Sequence, residues 1–522
     1  MTSISLVTAS TPLITTPASA AVPVSATETP LTLASSPASV VMLGQDSKVA
    51  DAATYSSRGS LNNADSVLFF EKKTSDAVTT VLTGNMSAKS TAGRFQGLGA
   101  ALLEQLASGN SNSISQSVIR SGTDGIKDAA ALKSAQAQLH SNTQNTITLT
   151  LKTASGATIT LNLTSKDDGL AVQADVTGGK LSDEENEALA SLADSFQGAI
   201  DGLTAETPRL NLGNLTQLDP ALFSSIDLSA RLKVGDNQYQ TLNFQSDEKN
   251  RSVEMNGPTG NVQLSVKNNA AILGNAQQQA QAVESYLKQF DAAQNRGQGD
   301  KDLMALFKDA FSSLQTTTKS LSGSSSLNSV DRSMLTGLAD FSVSLTQNAQ
   351  HSNPMRPAEA DKFSYKASQT TDMQGAGDAN RSIEQKQTSS LEASYHKSIY
   401  PGSKLALGNT AESQNYDFYQ INDQAESTTR IGYNKGALVV ANSTQSVQQS
   451  TIVNRYEMGK LIDTISTPKE ISRSRNLMGM IDAALREDRS SRVTTGKSTL
   501  EDDLMAVHAK VLLQSNPSSV AR

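Results

Sequence analysis

Between Ile147 and Val266, apolar residues come back at every second position in short runs separated by turn residues. Ile147, Leu149 and Leu151 alternate with polar neighbours, Ala154-Ser155-Gly156-Ala157 turns the chain, and Ile159, Leu161 and Leu163 alternate again. A third run, Leu170, Val172, Ala174 and Val176, follows Asp168-Gly169. A period of two puts each set on one side of a pleated strand, and reversals this short join antiparallel neighbours. The pattern therefore demands a meander with one apolar face and one wet face. It returns further on. Ile226, Leu228, Ala230, Leu232 and Val234 alternate, and Gly235-Asp236-Asn237 turns the chain. Leu242 with Phe244, Val253 with Met255, and Val262 with Leu264 and Val266 then supply three more strands.

An apolar sheet face needs a cover, and the segment after each meander has the period of a helix. Ser182 stands three residues before Glu185 in the reciprocal capping arrangement, with Asp183 and Glu184 suited to the positive helix end. Leu189, Leu192, Phe196, Ile200 and Leu203 then line one face. Ala276, Ala280, Val283, Leu287 and Phe290 keep a packed helix spacing, and Leu303, Phe307, Ala310 and Leu314 repeat it. The short link between them makes an antiparallel helix pair. Meander–helix followed by meander–helix–helix is an α+β fold class, antiparallel β-meanders packed with amphipathic helices, and a distant internal duplication would leave this layout.

The remaining chain divides around that centre. Residues 1–60 read as a disordered tail: the first 40 hold eight Ser, eight Thr, seven Ala and five Pro, with Glu28 as the only charge. Such a stretch cannot bury enough surface to offset chain entropy. Residues 61–140 read as a helical segment, with helix over Asp65–Leu82, Phe95–Leu106, Gln116–Arg120 and Ile126–His140. The α+β unit spans 141–320. A flexible linker follows at 321–382, opened by Gly323-Ser324-Ser325-Ser326 and aperiodic from 350 onward. Residues 383–522 read as a thin β-rich region ending in two helices. Its strands, Leu391–His396, Tyr416–Ile421, Thr428–Tyr433, Ala437–Asn442 and Thr451–Tyr456, are rich in Gln and Ser. The helices are Ile471–Arg486 and Ser498–Leu513, the second opening on a capping box from Ser498 to Glu501.

Composition excludes whole classes of chemistry. The absence of Cys among 522 residues rules out disulfides, thiolate metal sites and cysteine nucleophiles. A net charge of −7 argues against a general nucleic-acid binder. The longest apolar stretches, such as Ala437–Ala441 and Val511–Leu513, fall far short of a transmembrane segment. The first Lys is Lys48 and the first Arg is Arg58, while Pro12, Pro17 and Pro23 interrupt the N-terminus, so a cleaved secretory signal is not expected. In composition alone, the tail resembles the N-termini of flagellar and type III secretion substrates. That resemblance implies export by an uncleaved signal.

Fragments that invite an enzymatic reading do not complete their motifs. His140, His351, His396 and His508 stand in no ligand-like spacing and read as surface residues. Thr495-Gly496-Lys497-Ser498 matches the tail of a phosphate-binding loop, but Ser491 occupies the position of the required earlier glycine. Gly97-Leu98-Gly99-Ala100-Ala101 resembles the front of a dinucleotide fingerprint, but Leu102 stands where the third small residue belongs. Asp300 and Asp302 could offer oxygens to calcium, and Gly375-Ala376-Gly377-Asp378 echoes one calcium-binding repeat. A complete site needs about six ordered oxygens, and Asp300 is more simply a helix cap. From Lys460 to Lys497 there are eight basic residues against five acidic ones, with no aromatic residue interleaved for stacking.

No catalytic, cofactor-binding or metal-ligating residue emerges. The expectation is a non-enzymatic structural or protein-interaction protein, exported or surface-associated, with a protein partner and no nucleic acid. The competing expectation is an intracellular scaffold or regulator that binds through its C-terminal helices. The firmest structural expectation concerns Phe290. Replacing it with Asp should unfold the 141–320 unit, because a buried unpaired charge costs several kcal/mol; an unmoved thermal melting curve would refute the helix-face assignment.

Overall fold

The computed structural model describes residues 67–109, 111–121, 128–141, 143–217, 219–268, 270–315, 327–350, 352–375 and 377–521. The expected N-terminal tail and the Gly323–Ser326 stretch lie outside them. Strand β1 (Val67–Phe70) leads into α1 (Ala77–Asn85), α2 (Thr91–Phe95) and α3 (Leu98–Ala107), followed by β2 (Ser113–Ser121) and α4 (Ala129–Ser141). The first meander is β3 (Asn145–Thr153), β4 (Thr158–Lys166) and β5 (Gly169–Thr177), continued by α5 (Asp183–Ser191) and α6 (Ala193–Thr204). The second is β6 (Phe223–Gly235), β7 (Gln238–Asp247), β8 (Asn250–Asn256) and β9 (Gly260–Lys267), continued by α7 (Ala276–Gly297), α8 (Lys301–Gln315) and α9 (Ser329–Ser333). Long strands follow: β10 (Phe341–Gln350), β11 (Asp361–Gln374), β12 (Ser382–Ser398), β13 (Tyr416–Asn434) and β14 (Ala437–Glu457). The chain closes through β15 (Lys460–Ser466), β16 (Lys469–Asn476), α10 (Met478–Thr495), α11 (Leu500–Val511) and α12 (Pro517–Ala521).

Among the described residues the sixteen strands form one antiparallel sheet, ordered β1-β2-β5-β4-β3-β6-β7-β8-β9-β10-β11-β12-β13-β14-β15, with β16 also paired to β14. Hairpin links account for most neighbours. The longer connections are where the helices sit: α4 between β2 and β3, α5 and α6 between β5 and β6, and α7 to α9 between β9 and β10. All helices but α4 serve the face that carries the apolar halves of the strands. There, Phe290 is fully buried among Tyr286, Phe307, Phe311 and Tyr365. Tyr365 belongs to β11, so the α7–α8 pair also packs on strands beyond residue 320. No described helix is long and apolar enough to cross a membrane.

The structure departs from the sequence reading in several places, each with a physical cause. Gln116–Arg120 is strand rather than helix. Val118 faces α1 and α3 while Ile119 packs on Leu139 of α4, so both faces are covered and the period of two is hidden. The Asp65–Leu82 segment is β1 and then α1, which starts at the Asp76 cap. The expected linker contains β10 and β11. The broken, thin strands of the C-terminal region are in fact continuous ladders, with 19 residues in β13 and 21 in β14. The first C-terminal helix begins at Met478, and Ile471 lies in β16.

One row of side chains explains why these strands escaped notice. Gln369, Gln387, Ser427, Gln445 and Arg473 are direct cross-strand neighbours on the helix-facing side. Each grips the backbone of a covering segment. Gln369 Nε2 donates to Leu338 O, and Gln387 accepts from Leu513 N and donates to Val511 O. Ser427 donates to Val511 O, Gln445 to Lys510 O and Leu512 O, and Arg473 to Ala521 O. The groups gripped are the last carbonyls of α11 and α12 and the irregular backbone at Leu338 and Leu512–Leu513, none of which finds a partner within a helix.

Gln387 also accepts from Tyr286 Oη, whereas Gln424 on β13 is exposed on the opposite side of the sheet. Gln387→Leu orphans several buried groups and should lower unfolding free energy by about 2–4 kcal/mol. Gln424→Leu should change it by no more than about 0.5 kcal/mol. Urea titration of both variants checks the contrast, and equal effects would remove the gripping role from the inner row.

Candidate interaction surface

The face opposite the other helices is the wet half of the alternation, and beyond the part of β2, β5 and β4 that α4 covers it is open as far as β16. Register carries polar side chains straight across it. One row runs Gln173, Asn162, Thr148, Ser229, Asn243, Glu254, Gln263 and Ser344, then Lys366, Ser390, Gln424, Gln448 and Glu470. The neighbouring row runs from Asp175 through Thr160, Thr150 and Asp227 to Ser342, Ser368, Thr388, Glu426, Ser446 and Ser472 by the same pairings. No apolar side chain interrupts either row. Neighbours bond across strands: Thr148 to Asn162 at 3.1 Å, Ser368 to Thr388 at 2.8 Å and Gln448 to Glu470 at 2.9 Å. This face also carries ion pairs, with Lys386 on Glu426 at 2.9 Å and Arg430 on Glu384 at 2.7 Å. Between β10 and β14 the face dips into a trough of about 650 Å³, lined by Ser342, Ser344, Lys366, Thr388, Gln424 and Gln448 among others.

At one end of this face two loops fold over the strands and enclose a polar cluster. Glu359 accepts from Tyr416 Oη at 2.6 Å and Tyr456 Oη at 2.8 Å. His396 lies beside it, with Nδ1 2.7 Å from Asp361 and Nε2 3.5 Å from Glu359. Arg356 lies over the Tyr456 ring and donates to Gly459 O. Burial pushes the Tyr416 and Tyr456 hydroxyls up, and the Glu359 carboxylate that accepts their protons' hydrogen bonds pushes them further. The cluster ties both loops to the strand ends, and its His396 and Asp361 line a cavity of about 420 Å³ with Asp300, Gln347 and Lys362. Its members come from positions 356 to 456, and no local motif announces them.

Sequence candidates land in structural roles. Asp300 caps α8, accepting from Leu303 N at 2.7 Å, while Asp302 lines a cavity of about 300 Å³ with Glu206, Met255 and Leu306. Among the described residues no three His, Asp or Glu side chains are grouped to hold a metal ion. Gly99 faces Ile200 and Phe196 so closely that a Cβ would stand 2.5 Å from Ile200 Cδ1, which makes it a packing glycine between α3 and α6. His508 is buried and His396 half-buried with its ring inside, rather than on the surface: Gln281 and Thr336 O hold the His508 ring, and Asp361 holds His396 Nδ1. His140 pairs with Glu71, and His351 lies outside the described residues. The basic zone is dispersed, since Arg473 and Arg475 serve the α12 backbone and Arg492 pairs with Asp488.

The Ser498–Glu501 capping box is replaced by a longer-range cap. Asp488 Oδ1 accepts from Ser498 Oγ at 2.6 Å, Thr499 N at 2.9 Å and Leu500 N at 3.1 Å. A carboxylate with one full charge outcompetes the local serine for the orphan donors at the start of α11. No protein-family model, curated protein or solved structure matches the chain.

The bond from Ser498, with those from Arg492 and Thr499, holds the Asp488 carboxyl below its ordinary value of 3.8. A depressed folded value stabilises the protein above the unfolded value, and that contribution fades as pH falls through the folded one. Asp488→Asn should therefore lower the melting temperature near about pH 7, and its gap from the parent should close as the pH falls below the ordinary carboxylate range. Melting followed by circular dichroism tests this, and a gap constant with pH would refute the charged cap.

Proposed function

We propose that the chain is a non-enzymatic structural or protein-interaction protein that offers its open sheet face to a polar polypeptide partner. The observation that carries this reading is the pair of uninterrupted polar rows across thirteen strands. Hydroxyl and amide groups at strand spacing suit wet contacts, in which direct and water-mediated hydrogen bonds share the work. The inner face supplies a precedent within the same molecule: Gln387 and Gln445 hold backbone that lies across them where α11 ends and the chain becomes extended. The Ser/Thr/Ala/Pro composition of residues 1–40 supports an exported or surface-associated setting. The second reading, an intracellular scaffold that binds through its C-terminal helices, has Leu485 and Val493 exposed on α10 in its favour.

Lysines mark the surfaces separately. Lys267, Lys366 and Lys386 stand on the open face, Lys288 and Lys301 on the helix layer, and Lys497 beside α10 and α11. Amine cross-linking in the source cells, read by mass spectrometry, should join partner peptides to the first group. Cross-links confined to Lys288 and Lys301 would overturn the open-face reading, and cross-links confined to Lys497 would transfer the function to the C-terminal helices.

A further inference from the structure

The outer margin of the sheet is one long strand rather than two. β15 and β16 keep the same register on β14, with Ser466 opposite Ile452 and Lys469 opposite Gln449, and Thr467 N donates to Thr451 O between them. Odd-numbered residues here direct their backbone groups to β14. Even-numbered ones, Thr464, Ser466, Pro468 and Glu470, direct theirs to the free edge. Pro468 thus stands where its missing N–H faces outward, the place a sheet edge tolerates proline. The tip of this margin is also apolar. Four of the twelve exposed large apolar side chains among the described residues are Met458, Leu461, Ile462 and Ile465. Ile465 ends a row on the helix side that runs through the stacked pair Tyr395 and Tyr419 and through Val453.

We infer that this edge pairs antiparallel with the same edge of a second copy, about a two-fold axis at Ser466. Outward-facing residues must oppose outward-facing ones, which leaves few registers. A pairing about Asp463 sets two like charges face to face, and one about Thr464 sets Asp463 against Ile465. Pairing about Ser466 sets Asp463 directly opposite Lys469 of the second copy, twice over, within the stretch before the bulge that shifts the register at Leu461. Asp463 and Lys469 are both exposed, and they meet in the narrow type of antiparallel pair, where side chains approach most closely. The reciprocal Ser466 bonds form, and Thr464 N–H reaches Pro468 O across the axis. In the single chain that N–H rests on Asp463 Oδ1 at 2.8 Å, and Asp463 releases it on turning to the lysine. An isologous contact closes on itself and produces a dimer, not a fibre.

An interface of this length is at the small end of specific contacts, so association is weak and rises with concentration. Sedimentation velocity of the full chain between roughly 1 μM and roughly 1 mM reads it directly. The parent should shift from monomer towards dimer across that range. Asp463→Lys and Lys469→Asp should each remain monomeric, and the double exchange should restore the dimer, with circular dichroism unchanged throughout. A parent that stays monomeric overturns the inference, as does a single variant that dimerises like the parent. A dimer lost in both single variants and not restored by the double one overturns the register. Only the last residues of the open-face rows, Glu470 and Ser472, belong to the strand at this edge, so failure here leaves the proposed function standing.

Discussion

The inward row of Gln369, Gln387, Ser427, Gln445 and Arg473 is what lets the sheet extend past its helical cover. Helices satisfy their own peptide groups and can lie on an apolar face without further help. The segments that cover β11 to β16 include irregular backbone at Thr336–Ala339 and Leu512–Ser515, with N–H and C=O groups held by buried side chains. Left alone, each would cost about 1–3 kcal/mol. A glutamine side chain is itself an amide, and it meets a peptide group as another strand would. Gln385 does the same for Thr336 N, Gln289 of α7 for Leu513 O, and Gln449 for Ser515 O. Gly337 completes the arrangement with a positive φ of 76°, where its backbone passes against Gly274 too closely for a Cβ on either.

The same row decides how much of the fold could be read from residue order. From Ile147 to Leu314 the inward positions are Leu, Ile, Val and Phe, so hydropathy and burial coincide and strands, turns and helices appear in order. From Phe341 to Asn476 the period of two persists, but many inward positions are Gln, Ser and Thr. Hydropathy cannot separate a buried glutamine with two partners from an exposed one, and the ladders read as polar fragments. β2 fails for the opposite reason: with α4 on its far face, neither side is wet. The open face was legible as the polar half of each alternation as far as Val266. The Glu359 cluster was not, since Tyr416, Tyr456 and His396 acquire their relation only through strand register and two loops.

Charged groups settle at the places where the apolar cover ends. Arg296, at the last turn of α7, binds Asp423 and donates to Thr451 at 3.0 Å, joining the helix to β13 and β14. Asp331, fully buried, receives Arg381, Tyr433 Oη at 2.7 Å and Asn328 N at 3.1 Å. Each carboxylate removed from water in this way has several donors, as burial of a charge requires. They fix the angle at which the covering layer meets the sheet, which non-directional apolar contact leaves loose.

The two faces of β11 to β14 carry similar residue types with opposite consequences. On the inner face, polar positions alternate along each strand with apolar ones such as Leu391, Ala425 and Val447, so a chain lying there gains burial as well as hydrogen bonds. Apolar burial contributes roughly 25 cal/mol per Å², while an exchanged hydrogen bond contributes about 1 kcal/mol net. The inner segments are therefore held permanently. On the outer face the apolar rows are missing. A chain laid across Ser390, Gln424 and Ser446 would gain the hydrogen bonds without the burial, displacing water from groups that water already satisfies. A contact proposed there would be reversible, and width, rather than any single anchor, would supply its strength.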